Sequence, residues 1–341
     1  MLCLRNPACA SAVRAPAAHG SFGRLVLTVA GRASAALSLS VRRSAAHIPL
    51  AAILLIVGAV GCFTLLDGIV KYLTAHYPVP LLVWARYLVQ ALLMVAWLAP
   101  RLGTRLVRTR QPVLQLVRGA ILVASSLLFV SALRRMPLAE ATAINYTTPT
   151  LVILLAVVVL KERMTPPRWA FVVAGMAGML LIVRPGTAIL GAGAAFAFGA
   201  ALCYATFQIL TRTLAAEDPR VTLFYPALVG SVLMTLTLPF VVWPPDVAWP
   251  HIILILITGA LGTVGHFLFI LAFQRAPASG LTPFTYLQIV FATLFGWAVF
   301  GQFPDGAGLA GMAIIGSTGL LLAWHERRIA LAATQEPVAV D

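Results

Sequence analysis

The sequence predicts an all-α integral membrane protein of ten transmembrane helices, arranged as two inverted five-helix repeats. Three observations lead there. The 341 residues are 61% hydrophobic and only 10% charged, more apolar surface than a soluble domain of this length can bury. Ten apolar stretches follow one another, each close to the ~20 residues that cross ~30 Å of hydrocarbon. Finally, Arg118–Pro137 and Thr258–Pro277 match without a gap at 7 of 20 positions: Gly119/Gly259, Ala120/Ala260, Leu128/Leu268, Phe129/Phe269, Ala132/Ala272, Arg135/Arg275 and Pro137/Pro277. Thr142/Thr282 and Tyr146/Tyr286 continue the same register. A match that keeps the turn Pro is more than shared composition.

In chain order, residues 1–47 hold six Arg and no acid among much Ala and Ser. They read as a disordered tail or a start placed upstream of the true one, with a mitochondrial presequence as the alternative. The use of 22 Arg against 2 Lys fits a GC-biased coding sequence. The expected spans are roughly 48–73, 81–99, 113–133, 139–160, 168–183, 188–211, 221–242, 251–273, 280–300 and 306–324. The first repeat is then 48–186, the second 187–328, and 329–341 a C-terminal tail. Short loops carry Pro or Gly: Tyr77-Pro78-Val79-Pro80, Arg184-Pro185-Gly186, Trp243-Pro244-Pro245 and Phe303-Pro304-Asp305-Gly306. Alternate loops hold twelve basic residues (Arg101, Arg105, Arg108, Arg110, Lys161, Arg163, Arg168, Arg212, Arg220, Arg275, Arg327, Arg328) against three (Arg134, Arg135, Arg184). That bias puts both termini in the cytoplasm, as in a bacterial inner membrane. Trp97, Trp169, Trp243, Trp249 and Trp324 lie at span ends as an aromatic belt. Five spans is an odd number, so the second half enters from the opposite side.

Several function classes drop out. The net charge of +14 sits in short loops and the tail rather than on one face, so the expected partners are the lipid bilayer and a small solute, with no nucleic acid. Cys62 and Cys203 fall inside spans as small apolar fillers, and Cys3 and Cys9 have no metal or redox spacing. There is no Gly-x-x-x-x-Gly-Lys-Ser/Thr for ATP, and the ten acidic residues form no Asp-x-x-Asp or His-x-x-x-Glu motif. No enzyme, catalytic residue, cofactor or metal is expected. An intramembrane lipid- or isoprenoid-modifying enzyme is the runner-up, and a channel or scaffold the third reading.

The most informative stretch is Ala132–Glu162, which turns at Arg134-Arg135-Met136-Pro137 and enters the fourth span through Glu140, Thr142, Asn145, Tyr146, Thr147 and Thr148 before Pro149. Polar groups at membrane depth face a partner helix or a water-filled cavity, and a Pro there frees a carbonyl. Asn145, Tyr146 and Thr148 meet Thr285, Tyr286 and Gln288 of the ninth span, which has its own Pro283, so both sets are expected to face one cavity as substrate-binding groups. The alternative is a polar contact that glues the helices. Asp67 and Lys71 share a helix face, and a mutual ion pair is their plain reading. Arg86, six residues into the second span, is expected to pair with Asp67 across helices. Its functional role would be a fork for an anionic or carbonyl-bearing solute, with Asp67 as competitor and proton carrier. Glu140 is expected to pair with Arg134 or Arg135, or to serve the helix N-terminus, with proton coupling as the alternative. His266 is either a packing residue or a coupling group. Arg118 can snorkel and reads as structural. Gln208 stands in for Asp67 in the second half if the repeat is allowed one extra residue there. Gly175, Gly178, Gly316 and Gly319 suit close helix packing through the fifth and tenth spans, within one chain or as a homodimer.

Two five-helix halves, Arg86-Tyr87 early in the second span, the run into Lys161-Glu162-Arg163, and above all MPLAEATAINYTTP at Met136–Pro149 resemble the EamA-type drug/metabolite transporters. The resemblance covers about residues 48–328. It departs in the second half, where Gly301-Gln302 replaces Lys161-Glu162 and the seventh span has no Arg. The resemblance implies a ten-helix carrier for amino acids, vitamins, cofactors or drug-like solutes, with a central cavity between spans one to four and six to nine. It names neither solute nor direction, nor proton coupling against exchange. Internal repeats with the site at their interface fit the same expectation, a secondary transporter working by alternating access.

Overall fold

A computed structural model describes residues 49–160, 166–183, 188–214, 217–241, 247–276 and 278–335. The tail 1–47, Lys161-Glu162-Arg163, the loops at Arg184–Gly186 and Trp243–Pro245, and Pro277 lie outside them. The described residues are helical throughout, without strands. The helices are α1 (Leu50–Leu73), α2 (Val79–Leu102), α3 (Pro112–Leu133), α4 (Leu138–Asn145), α5 (Thr148–Leu160) and α6 (Pro166–Val183) in the first half. The second half has α7 (Ala188–Thr213), α8 (Pro219–Thr237), α9 (Trp249–Arg275), α10 (Ala278–Thr285), α11 (Leu287–Phe300) and α12 (Gly306–Gln335).

Helices fall on all ten of the expected stretches, and two of those stretches are broken. The fourth span is α4 plus α5 and the ninth is α10 plus α11. Eight helical stretches are long and apolar enough to cross a membrane, and the fifth span supplies the shorter apolar helix Trp169–Val183. The last helix continues to Gln335, well into what reads as a tail. Helix starts at 79 and 219, 138 and 278, and 166 and 306 repeat the 140-residue register of the sequence match.

Local chemistry accounts for the boundaries. Prolines occupy the first turn of α2, α3, α8 and α9, where their missing N–H costs nothing. Gly301 ends α11 at φ 63, a left-handed position that suits Gly, and hands the N–H of Gln302 back to Gly296. Packing pairs up between the halves: α1 lies on α9 as α3 lies on α7, α2 meets α8, and α6 meets α12. Alanines allow the close approach; Ala139, Ala141 and Ala143 of α4 and Ala194, Ala197, Ala200, Ala201 and Ala205 of α7 are buried. Leucines such as Leu54, Leu92, Leu181, Leu236 and Leu321 point outward, with Trp97, Trp169, Trp249 and Trp324 exposed near the ends. An outer shell this apolar is stable in lipid, and the chain is an integral membrane protein.

Three of the four packing glycines are used inside the chain. Added Cβ atoms would meet Thr150 at Gly175, Gly311 and Ile314 at Gly178, and the Tyr286 ring at Gly319; Gly316 faces open space.

Candidate functional site

Polar groups from seven spans form one connected cluster at the middle of the bundle. It is built around the two helix breaks. Pro149 has no N–H to offer the Asn145 carbonyl, and the Thr148 hydroxyl donates to it instead at 2.6 Å. The chain therefore turns at Tyr146 and Thr147 before α5 begins. At the other break the Ile289 N–H turns to Tyr286, leaving the Thr285 carbonyl available. Tyr146 fills that gap: its hydroxyl reaches Thr285 O at 2.7 Å and Gln288 Oε1 at 2.9 Å. The Tyr146 and Tyr286 rings lie 5.1 Å apart, and Tyr286 rests on the bare backbone of Gly319. Freed carbonyls at paired helix breaks are the groups with which such membrane proteins hold ligands.

Gln288 continues the network by donating from Nε2 to Asp67 Oδ2 at 3.2 Å. Its amide thus spans the carboxylate of α1 and the phenol at the α4–α5 break. The expected Arg86–Asp67 hydrogen bond is not formed. Arg86 Nη2 donates to Ser126 Oγ of α3 at 2.7 Å, and the Tyr87 hydroxyl shares that oxygen at 2.8 Å. Asp67 and Arg86 remain within electrostatic reach of each other, so their pairing is through space. Arg86 is half-buried, and its Nε has no hydrogen-bond partner. His266 on α9 donates from Nδ1 to its own helix at Gly262 O (2.7 Å), edge-on to Phe63, with the Arg86 charge nearby. Tyr204 of α7 lies near Tyr146 and is stacked with Phe207.

Other expectations shift. Thr148 is buried and spends its hydroxyl on Asn145, so it faces its own backbone. Asn145 is half-buried at the break. The Asp67–Lys71 pair is replaced: Lys71 Nζ donates to Leu133 O at 2.9 Å and Met136 O at 2.7 Å, capping the carbonyl end of α3. Its electrostatic neighbour is Glu140, in the first turn of α4. Arg135 turns to Ser131 O and the Phe196 ring rather than to Glu140. Arg118 does not snorkel; it is buried, and its Nη groups go to Thr211 Oγ1 and the Thr222 carbonyl. Sequence reasoning passes over Ser126 and Tyr204, and takes Tyr87 only as part of the Arg86-Tyr87 motif. A signal for Ser126 exists, because it is the repeat counterpart of His266 at the 140-residue offset. Among the described residues no cluster of three or more His, Cys, Asp or Glu could hold a metal.

Comparisons with known proteins agree with this architecture. The EamA-like transporter family model matches twice, over residues 50–184 and 191–324, which are the two halves. A riboflavin transporter of Rhizobium johnstonii is 30% identical over 230 residues, 67% of this chain and 76% of that protein. An S-adenosylmethionine uptake transporter of Rickettsia conorii is 24% identical over 226 residues, 66% of this chain and 76% of that protein. A riboflavin transporter of Vibrio cholerae is 24% identical across 83% of this chain and 96% of its own length. One crystal structure, 21% identical, superposes with a TM-score of 0.58 over 82% of this chain and 98% of that one, which shows the shared fold. The work of the chain is to move a small organic metabolite across a membrane, not to catalyse a reaction: it belongs to the EamA-like transporter family.

Proposed function

We propose that this secondary transporter works by alternating access, its halves being inverted repeats that rock about the Tyr146–Gln288–Asp67 network. One observation carries the reading: the two broken spans meet, and the side chain at one break occupies the backbone carbonyl freed at the other. A solute that inserts there exchanges hydrogen bonds with both halves at once, which is what alternating access requires. Arg86 would supply a fork from its unpartnered Nε edge, and Asn145 and Gln288 amide contacts. Tyr146, Tyr286 and Tyr204 would flank a planar ring. The named relatives are an S-adenosylmethionine uptake transporter and riboflavin transporters, whose named solutes contain a planar heterocycle, and a solute of that class would suit these rings. The Arg distribution favours a bacterial inner membrane with both termini in the cytoplasm.

Gln288 also suggests how a proton would be coupled. With Asp67 ionised, the amide donates to it and accepts from Tyr146. With Asp67 protonated, the acid donates to Oε1, the amide turns over to donate to Tyr146 Oη, and the Tyr146 proton is committed to Thr285 O. Either protonation state is hydrogen-bonded throughout, while the load on the ninth-span break differs. His266 and Glu140 are secondary candidates for the same role.

The experiment is uptake and efflux of riboflavin and S-adenosylmethionine in proteoliposomes, with and without a pH gradient, for the wild type, Arg86→Ala and Asp67→Asn. Saturable flux lost in Arg86→Ala, and insensitive to pH in Asp67→Asn, is the expected result. Saturable flux that survives both changes would move the site elsewhere; conductance without saturation would favour a channel.

A further inference from the structure

Arg118 is among the most completely buried large side chains of the protein, 1% exposed in the second turn of α3, and Gln115 just before it is 0% exposed. Its Nη1 donates to Thr211 Oγ1 of α7 at 3.2 Å, its Nη2 to the Thr222 carbonyl of α8, and its plane lies 4.9 Å from the Phe207 ring. None of these partners is charged, and Nε has no acceptor. A guanidinium is costly at membrane depth, so holding three helices together does not by itself explain why the residue is Arg.

The sequence of α8 supplies the reason. In a helix the Thr222 carbonyl would accept from the N–H of residue 226, but residue 226 is Pro, which has no N–H and pushes that carbonyl aside. Arg118 provides the missing donor from another helix. Thr222, Pro226 and Gly230 follow one another by about one turn along a single face of α8. At Gly230 an added Cβ would lie 2.5 Å from the Tyr87 ring, so Tyr87 rests directly on that backbone. The Tyr87 hydroxyl in turn holds the Ser126 oxygen to which Arg86 is bonded. A mechanical line therefore runs from Arg118 through the Pro226 kink to the Arg86 fork.

We propose that Arg118 is a positioning residue for transport, acting through α8. Bonded to Thr222, it clamps the end of α8 that adjoins the Arg-rich loop and keeps the site shut on that side. Releasing the carbonyl lets α8 pivot at Pro226, draws Gly230 off Tyr87 and loosens the Arg86–Ser126 pair. In the released state water reaches the guanidinium and its Nε, which balances the lost bonds. The inference rests on Arg86 as the solute fork, but its central test needs no solute.

That test is a cycle of Arg118→Gln, Pro226→Ala and the double variant, using the full chain in lipid nanodiscs. Hydrogen–deuterium exchange over residues 219–232 and thermal unfolding are the readouts, with riboflavin and S-adenosylmethionine uptake measured alongside. Arg118→Gln should speed exchange there about tenfold and lower Tm. In the Pro226→Ala background the helix backbone donates to Thr222 itself, and adding Arg118→Gln should change exchange less than about twofold. Pro226→Ala alone should be well folded yet slow in uptake, because the pivot is gone; a purely structural clamp would leave its uptake intact. If Arg118→Gln does not fold alone, its cost in the Pro226→Ala background decides the matter. Equal damage in both backgrounds, or no change in exchange over α8, overturns the proposal. An Arg86→Ala variant that transports normally would sink the fork reading, while the 118–226 cycle would still judge the clamp.

Discussion

The second and seventh spans, α2 and α8, occupy matching places in the two halves, start 140 residues apart and pack against each other, yet they carry different chemistry. At that offset Arg86 of α2 stands opposite Pro226 of α8, and Gln90 opposite Gly230. One helix presents a guanidinium to the centre. The other breaks one of its own hydrogen bonds and clears a backbone surface for its partner's Tyr87. Asp67, Lys71 and Glu140, the other charges near the site, also belong to the first half. On our proposal the two matching halves differ in task, one serving recognition and the other bending.

The sharpest way to break this division is to remove recognition without touching the bend. Arg86→Ala should lower uptake about a hundredfold, the equivalent of ~2.7 kcal/mol, with Tm almost unchanged. Arg86→Lys should recover little, because an ammonium lacks the planar fork. Full rescue by Lys would show that only charge is needed there. Next in size is Gln288→Leu, which strands Asp67 and Tyr146 with unmatched polar groups and should cost about 2 kcal/mol of stability. It should also remove the effect of a pH gradient on uptake; an unaltered pH response would disconnect Asp67 from the ninth span. Gly230→Ala comes third. The new methyl meets the Tyr87 ring, and overpacking of this kind costs about 1–3 kcal/mol. Combining it with Tyr87→Leu should recover most of that loss, since the clash needs both partners. If Gly230→Ala is harmless on its own, α8 does not hold Tyr87 as described.

Much of this was legible in the chain itself. The break at Tyr146 follows from Pro149 inside an otherwise apolar span, whereas the matching break at Tyr286 was not legible, because Pro283 stands before it and ends the bond to residue 279 rather than the one to Thr285. Pairings were harder. Asp67 and Lys71 are a natural local pair at i, i+4, but the carbonyl end of α3 has no internal donors and captures the ammonium from another helix. Arg118 looked able to snorkel because it lies near a loop in sequence. Only the tertiary structure shows the ends of α7 and α8 folded over it. Sequence spacing finds partners within a helix, whereas orphaned carbonyls choose theirs in three dimensions. Pro226, which sequence reasoning passed over, is a signal for one such carbonyl, four residues before itself.

The smallest expected effect tests whether the first half's charges divide cleanly between recognition and structure. Lys71 donates to Leu133 and Met136 at the end of α3, where the last carbonyls have no partners within their helix. Lys71→Met keeps the length and apolar stem of the side chain and removes the donor. A cation at a helix C-terminus contributes about 1 kcal/mol when partly exposed, so Tm should fall by about 1–2 °C for a chain of this size. Uptake should stay within about twofold, because ~0.4 kcal/mol or less would reach the site. Arg86→Ala is expected to show the reverse: uptake lost, Tm held. Lys71→Met abolishing uptake at an unchanged Tm would put Lys71 with the recognition groups, and the turn between the third and fourth spans would then belong to the transport cycle rather than to the scaffold.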